Sequence, residues 1–185
     1  MTTVTLHLVR HGETAGNAER RFQMPDVPLS DTGREQAAAV ARTLRDVARS
    51  AELILASDYA RAMETARIIA GELALPVLPE PALRERNFGI ARGRLYSEFD
   101  DETIASWRHP RYRIEGGESW ADVHERVAAF FEKLRRDPPA SEIIAVSHGG
   151  AISVMLHHLA GGAVDAFAVQ ALENCAVRTV TLPAA

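Results

Sequence analysis

Three short apolar runs, each stopped by polar residues and separated by amphipathic helical stretches, confine this chain to an α/β fold. Val4–Val9, Leu53–Ala56 and the run centred on Ile143–Val146 are too short and too apolar for surface helices, so they read as buried strands. Arg10-His11-Gly12 stops the first, Ser57-Asp58 the second, and Ser147-His148-Gly149-Gly150 the third. The intervening stretches have helical period. Asp31 to Arg49 carries Ala37, Val40, Ala41, Leu44, Val47 and Ala48 on one stripe, with Thr32 and Glu35 spaced as a capping box. Ser57-Asp58 offers N-cap chemistry for a second helix from Tyr59 to Leu73, ended before Pro76. Ser119 caps a third, running to Arg136 with Val123, Val127, Phe130, Phe131 and Leu134 inward, and Pro138-Pro139 closes it. A fourth runs from His148 to Leu159, and Ala176–Leu182 alternates as an edge strand should. Strands alternating with helices predict a three-layer α/β/α architecture: a largely parallel central sheet with helices on both faces.

Two stretches escape that pattern. Residues 76–83 read as extended, punctuated by prolines at 76, 79 and 81. Arg84 to Gly117 is rich in glycine and arginine and holds one helical stretch around Ser97–Trp107; it is the natural lid or specificity segment. With no linker, repeat or low-complexity tract, 185 residues predict one domain with room for a substantial core.

Composition narrows the function classes. A net charge of −4 argues against a nucleic-acid binder held by a general basic field. Of the 21 cationic residues only Lys133 is lysine; arginine suits bidentate phosphate recognition, although a GC-rich genome produces the same bias. A single cysteine, Cys175, leaves no internal disulfide and no cysteine-based zinc site. No His-Glu-x-x-His pattern or carboxylate cluster is present, so no metal and no cofactor are expected. No apolar run approaches the ~20 residues that span a bilayer, and the N-terminus lacks signal-peptide character. The expected location is the cytoplasm, with neither membrane nor nucleic acid as partner. A homodimer is open to such a chain, through an apolar patch that the sequence does not locate.

In a parallel sheet the three strand ends share one edge, which brings Arg10, His11, Arg61 and His148 together. A neutral imidazole beside fixed positive charge suits attack on an anionic centre, of which a phosphate monoester is the commonest biological example. Any one of these strand ends could simply face water; three with complementary groups make a site.

Together these pieces resemble the histidine phosphatase superfamily, the phosphoglycerate-mutase-like fold. The resemblance rests on Arg10-His11-Gly12, on the run from Ser57-Asp58 through Arg61 to Ala66, and on Ser147-His148-Gly149-Gly150. Leu83-Arg84-Glu85-Arg86-Asn87-Phe88-Gly89 and Gly116-Gly117-Glu118-Ser119 add to it, all in family order across nearly the whole chain. It implies that His11 is a nucleophile forming a phosphohistidine, with Arg10, Arg61 and His148 around the phosphoryl oxygens. Flanking cations hold such an imidazole unprotonated. Glu85 is then the general acid, protonating the leaving alkoxide and later activating water. Asn17 and Gln23 match amide positions that bind phosphate, and Gly149 offers a backbone N–H at a helix start. Many relatives have glycine after the glutamine, where this chain has Met24, a side chain expected to narrow the pocket mouth or cover an apolar substrate.

Less weight falls on His124, His157 and His158: the last two are neighbours on one helix and cannot share a face. Trp107, Trp120 and Tyr112 read as packing groups before pocket walls. Arg108, Arg111 and Arg113 either grip a second anionic group or form a solvated basic face.

Mutases of the resembled family carry a longer insertion before the segment matching Gly117-Glu118-Ser119 and a longer C-terminal tail. A shorter span here leaves water as the acceptor, so the resemblance implies a metal-independent phosphomonoesterase acting on small phosphorylated metabolites. Cofactor-dependent, mutase-type phosphoryl transfer is the alternative, followed by a non-catalytic binder of phosphorylated ligands. Sugar phosphates, nucleotide-pathway intermediates, cofactor precursors such as ribazole phosphate, and phosphoproteins are all processed on this fold.

Overall fold

In the computed structural model, which describes residues 3–183, the named strands form one mixed sheet. β1 (Val4–Arg10) leads through the one-turn helix α1 (Ala15–Ala18) to α2 (Asp31–Val47). β2 (Leu53–Ala56) leads into α3 (Ala60–Leu73), and β3 (Val77–Pro79) follows. After α4 (Asp101–Arg108) and α5 (Trp120–Arg136), β4 (Glu142–Ser147) runs into α6 (Gly149–Leu159), and β5 (Val177–Leu182) closes the chain. The strand order is β3-β2-β4-β1-β5; only β5 is antiparallel, and it lies on the edge.

Period-two alternation decides which side chains enter which layer. Leu6, Leu8, Leu55, Ile143 and Ala145 face α5 and α6, whereas Val9, Ile54, Ala56, Ile144 and Val146 face α2 and α3. Each such leucine, isoleucine or valine contributes about 1.5–3 kcal/mol by leaving water. β1 is therefore followed by a helix on one face and its neighbour β4 by a helix on the other. Where adjacent parallel strands send their chains to opposite faces, a crevice opens beyond their carboxyl ends. In register, Arg10 stands opposite Ser147, and Ala56 opposite Val146, so the three polar strand ends lie abreast.

Several boundaries differ from the sequence expectation, each for a tertiary reason. The cap of α2 is Ser30, whose Oγ accepts from Gly33 N at 3.0 Å, rather than the Thr32–Glu35 pair. Ser30 is held there because its own N–H donates to Glu13 O at 2.9 Å, where the chain leaving β1 crosses the helix start. That crossing needs glycine on both sides: a Cβ at Gly12 would stand 2.4 Å from Gly33 O, and one at Gly33 2.0 Å from Glu13 O. α3 begins at Ala60 without a side-chain cap, since Ser57 turns toward His148 and Asp58 accepts from Arg84 at 2.7 Å. The helix expected at Ser97–Trp107 is α4, capped by Asp100 and preceded by a 3₁₀ turn over Tyr96–Glu98. Residues 76–83 form only a three-residue strand and a 3₁₀ turn. Ser119 caps α5 as the sequence reads, in a reciprocal box with Asp122.

The segment from Arg84 to Gly117 has its own small core. Ala91, Trp107 and Ile114 are buried with Phe22, and Phe88, Phe99 and Ile104 pack against them. An isolated antiparallel bridge between Arg21 and Leu95 ties it to the loop after β1. Among the described residues, no helix is long and apolar enough to cross a membrane.

Candidate active site

At the carboxyl ends of β1 and β4 lies a cavity of about 300 Å³. Arg10, His11, Arg61 and Glu85 line it, with Asn17, Gln23 and Gly149 at its rim. His11 is 3% exposed, and its surroundings select one tautomer. Its Nδ1 lies 2.7 Å from the Gly12 carbonyl, which can only accept, so Nδ1 carries the proton. Nε2 is left with a lone pair, and Arg61 Nε donates to it at 3.2 Å. Burial, then the Arg61 charge, hold the imidazole well below the usual histidine range. The result is a neutral ring with one nitrogen available for attack.

Arg61 is positioned from several sides. Its guanidinium packs 5.3 Å from the Tyr59 ring centroid and donates to Met24 O at 3.0 Å. Burial brings its pKa down to about 10, so it stays cationic at neutral pH. Arg10 projects from the end of β1 and donates through Nη1 to Leu172 O, while its buried Nε has no protein partner. His148 sits behind the cavity wall rather than on it, with its ring edge-on to His11 at 5.0 Å between centroids. Its Nε2 meets Ser57 Oγ at 2.8 Å, and its buried Nδ1 has no partner among the described residues. Burial first, then the Arg61 charge, hold it too well below the usual range.

Glu85 spans two segments: Oε1 accepts from Arg86 N at 2.9 Å and Oε2 from Gly150 N at 3.0 Å. Only glycine fits at 150, because a Cβ would stand 2.5 Å from Glu85 Oε1 and 2.6 Å from Trp120 Cη2. The Gly150 N–H is thus committed to Glu85, while Gly149 opens α6 beside Arg10 and lines the cavity. Asn17 serves the turn after Thr14, its Oδ1 accepting from Thr14 N at 3.2 Å. Gln23 Oε1 accepts from Thr14 Oγ1 at 2.8 Å.

One expected pocket residue is displaced. Met24 is 44% exposed, and its side chain does not line the cavity; only its carbonyl reaches the site, through Arg61. The backbone hydrogen bond from Ala60 N to Pro25 O fixes this loop with the Met24 carbonyl inward. Trp120 lines the cavity, whereas Trp107 is buried in the small core and Tyr112 is exposed. Arg111 pairs with Asp165 and Arg113 with Asp122, and neither they nor Arg108 reach the cavity.

Sequence reasoning missed the residues that hold the histidine loop and Arg61 in place. Thr65 is fully buried; its Oγ1 accepts from Gly12 N at 3.1 Å and donates to Arg61 O at 2.7 Å, locking the histidine loop to α3. Asn174 Nδ2 donates to His11 O at 3.0 Å. The helical spacing of Arg61 and Thr65 was the one available signal. His124 and His158, given little weight from sequence, meet at 3.2 Å across α5 and α6, away from the cavity. Among the described residues, no three histidines, cysteines or carboxylates are placed to hold a metal ion.

Comparison with known proteins agrees with this geometry. The sequence profile of the histidine phosphatase superfamily (branch 1) matches residues 6–184. A Yersinia pestis protein named "Probable phosphoglycerate mutase GpmB" is 35% identical over 182 residues, covering 95% of this chain and 83% of its own. The mycobacterial glucosyl-3-phosphoglycerate phosphatase, solved with VO3, superposes with a TM-score of 0.84 at 29% identity, over 95% of this chain and 90% of that one. Bacillus stearothermophilus YhfR superposes with a TM-score of 0.83 at 28% identity, over 95% and 90%. The chain belongs to branch 1 of the histidine phosphatase superfamily.

Proposed function

We propose that the chain is a metal-independent phosphomonoesterase for small phosphorylated metabolites, working through a phosphohistidine on His11. The observation that carries this reading is the fixed tautomer of His11, with Nε2 unprotonated and Arg61 3.2 Å away. A phosphate monoester entering the cavity displaces that contact and takes the Arg61 donor for its own oxygens. Arg10 Nε, buried and without a partner among the described residues, is a second donor for the same oxygens.

Nε2 attacks phosphorus in line, the P–N bond forms and the ester P–O bond breaks. The leaving alkoxide takes a proton delivered by Glu85 as general acid. Water then attacks the phosphohistidine, giving its proton to the Glu85 carboxylate as the P–N bond breaks and phosphate departs. Cationic groups that offset developing phosphoryl charge contribute roughly 10³- to 10⁵-fold in related chemistry. The bridge from Glu85 to Gly150 N keeps the acid over the start of α6, close to the phosphoryl end.

Mutase-type transfer is a second reading, favoured by the names of the Yersinia relatives. The two readings diverge in product. The test is hydrolysis of p-nitrophenyl phosphate in the presence of chelator by the wild type and His11→Ala, with acid-quenched samples examined for acid-labile phosphoenzyme. Turnover and phosphoenzyme in the wild type alone support the proposal. Loss of wild-type activity on chelation sinks metal independence. Isomerisation of a phosphoglycerate faster than release of inorganic phosphate would establish the mutase reading instead, and ligand binding without phosphoenzyme would establish a binder.

A further inference from the structure

The cavity lining combines two chemically different sets of groups. One is His11, Arg10 and Arg61, with Glu85. The other is apolar and aromatic: Phe22, Phe88, Tyr96, Trp120, Val169 and Leu172. The rings are packed against one another, with Phe22 4.1 Å from Tyr96 and 4.9 Å from Phe88, and Phe88 6.4 Å from Trp120, between centroids.

The two other cations bordering the cavity, Arg86 and Arg21, are committed to the protein itself. Arg86 is 1% exposed and donates to three carbonyls, those of Glu118, Trp107 and Tyr112, at 2.6–2.9 Å. Its guanidinium lies 5.5 Å from the Phe88 ring and 4.9 Å from the Trp120 ring, so its charge stiffens the aromatic wall. Burial brings it down to about 10. Arg21 donates to Glu19 at 2.9 Å and to Gly93 O at 2.6 Å. Arg92 lies across Tyr59 in a separate cavity and donates to the Tyr59 hydroxyl at 2.6 Å.

We infer that the substrate's leaving group is a planar or apolar alcohol without a second anionic group, and that Tyr96 and Phe88 select it. A carboxylate or second phosphate against these rings would lose its water and find the guanidinium groups of Arg86 and Arg21 already engaged, while Arg20, 6.0 Å from the Tyr96 ring, does not line the cavity. A ring or alkyl chain would instead gain burial and edge or face contact with four aromatic side chains. The inference rests on the phosphatase reading above and narrows it to a substrate class.

The test uses three alkyl monoesters, so that leaving-group chemistry stays comparable: 2-phenylethyl phosphate, ethyl phosphate and 3-phosphoglycerate. The expected order of kcat/KM is phenylethyl, then ethyl, then phosphoglycerate, with about tenfold or more between first and last. In Tyr96→Ala and in Phe88→Leu the phenylethyl-to-ethyl ratio falls, by roughly tenfold for the alanine variant, whereas Tyr96→Phe keeps it. Tyr96 is 39% exposed, and melting curves of both truncated variants check that the fold survives. A preference for 3-phosphoglycerate overturns the inference while the phosphatase reading stands. So does an unchanged phenylethyl-to-ethyl ratio in both truncated variants. No turnover and no phosphoenzyme from any ester overturns both.

Discussion

The tautomer of His11 is set by a backbone carbonyl and, behind it, by a buried threonine. The Gly12 carbonyl selects its tautomer, and Gly12 is in turn fixed by its N–H to Thr65 Oγ1. Thr65→Val keeps the shape of the side chain but leaves the fully buried Gly12 N–H without an acceptor. The expected cost is about 1–3 kcal/mol of stability. It should come with a fall in kcat for p-nitrophenyl phosphate larger than any change in KM, since the reacting ring loses its support before the phosphate loses its donors. Urea melts and steady-state kinetics of the same sample check both. A variant as stable and active as wild type would show that the Thr65 hydrogen bonds are dispensable. Conversely, Met24 shows how a residue can serve through its backbone alone: its side chain is exposed while its carbonyl holds Arg61.

Among the elements, α2 best separates local pattern from tertiary context. Thr32 and Glu35 have capping-box spacing, yet the helix starts two residues earlier, where Ser30 is held by Glu13. Ser30→Ala should therefore cost about 1 kcal/mol, in the range of lost N-caps, whereas Thr32→Ala should change stability by less than about 0.5 kcal/mol. Paired denaturant melts decide this, and the reverse order of costs would restore the sequence-based cap. α5 shows the opposite case. Ser119 is its cap in both readings because the box is closed locally, by Asp122 three residues on. The segment from Arg84 to Gly117 reads as a lid by composition. In the structure it packs on an aromatic cluster of its own, is pinned through Arg86 to three carbonyls, and sends Phe88 and Tyr96 to the cavity.

For the whole molecule, burying neutral histidines makes stability depend on pH. Burial is the first cause for His11 and His148, and it also lowers His124 and His158. The unfolded chain takes up protons on these rings below about pH 6.5, while the folded chain does so only at lower pH. Between those limits the unfolded state binds more protons, so stability is fully present above about pH 6.5 and falls as pH drops. Each fully coupled histidine contributes a slope of about 1.4 kcal/mol per pH unit in that window. Guanidinium melts at pH 7.5 and 5.5 should show this loss, and His148→Gln should flatten it. A variant with the wild-type slope would remove His148 from the account.

The sequence by itself determined the layers: which runs are strands, that they alternate with helices, and that Arg10, His11, Arg61 and His148 gather at one edge. Those features follow from side-chain period and from polar stops at strand ends, which act over a few residues. Only the tertiary structure decided which of them line the cavity and what steadies them. It sets His148 behind His11 and Met24 outward, and it brings Thr65 and Asn174 to the histidine loop across 53 and 163 residues of chain. Such contacts depend on how finished layers pack against each other. No local pattern encodes a distance between residues that only meet once the sheet and its helices are assembled.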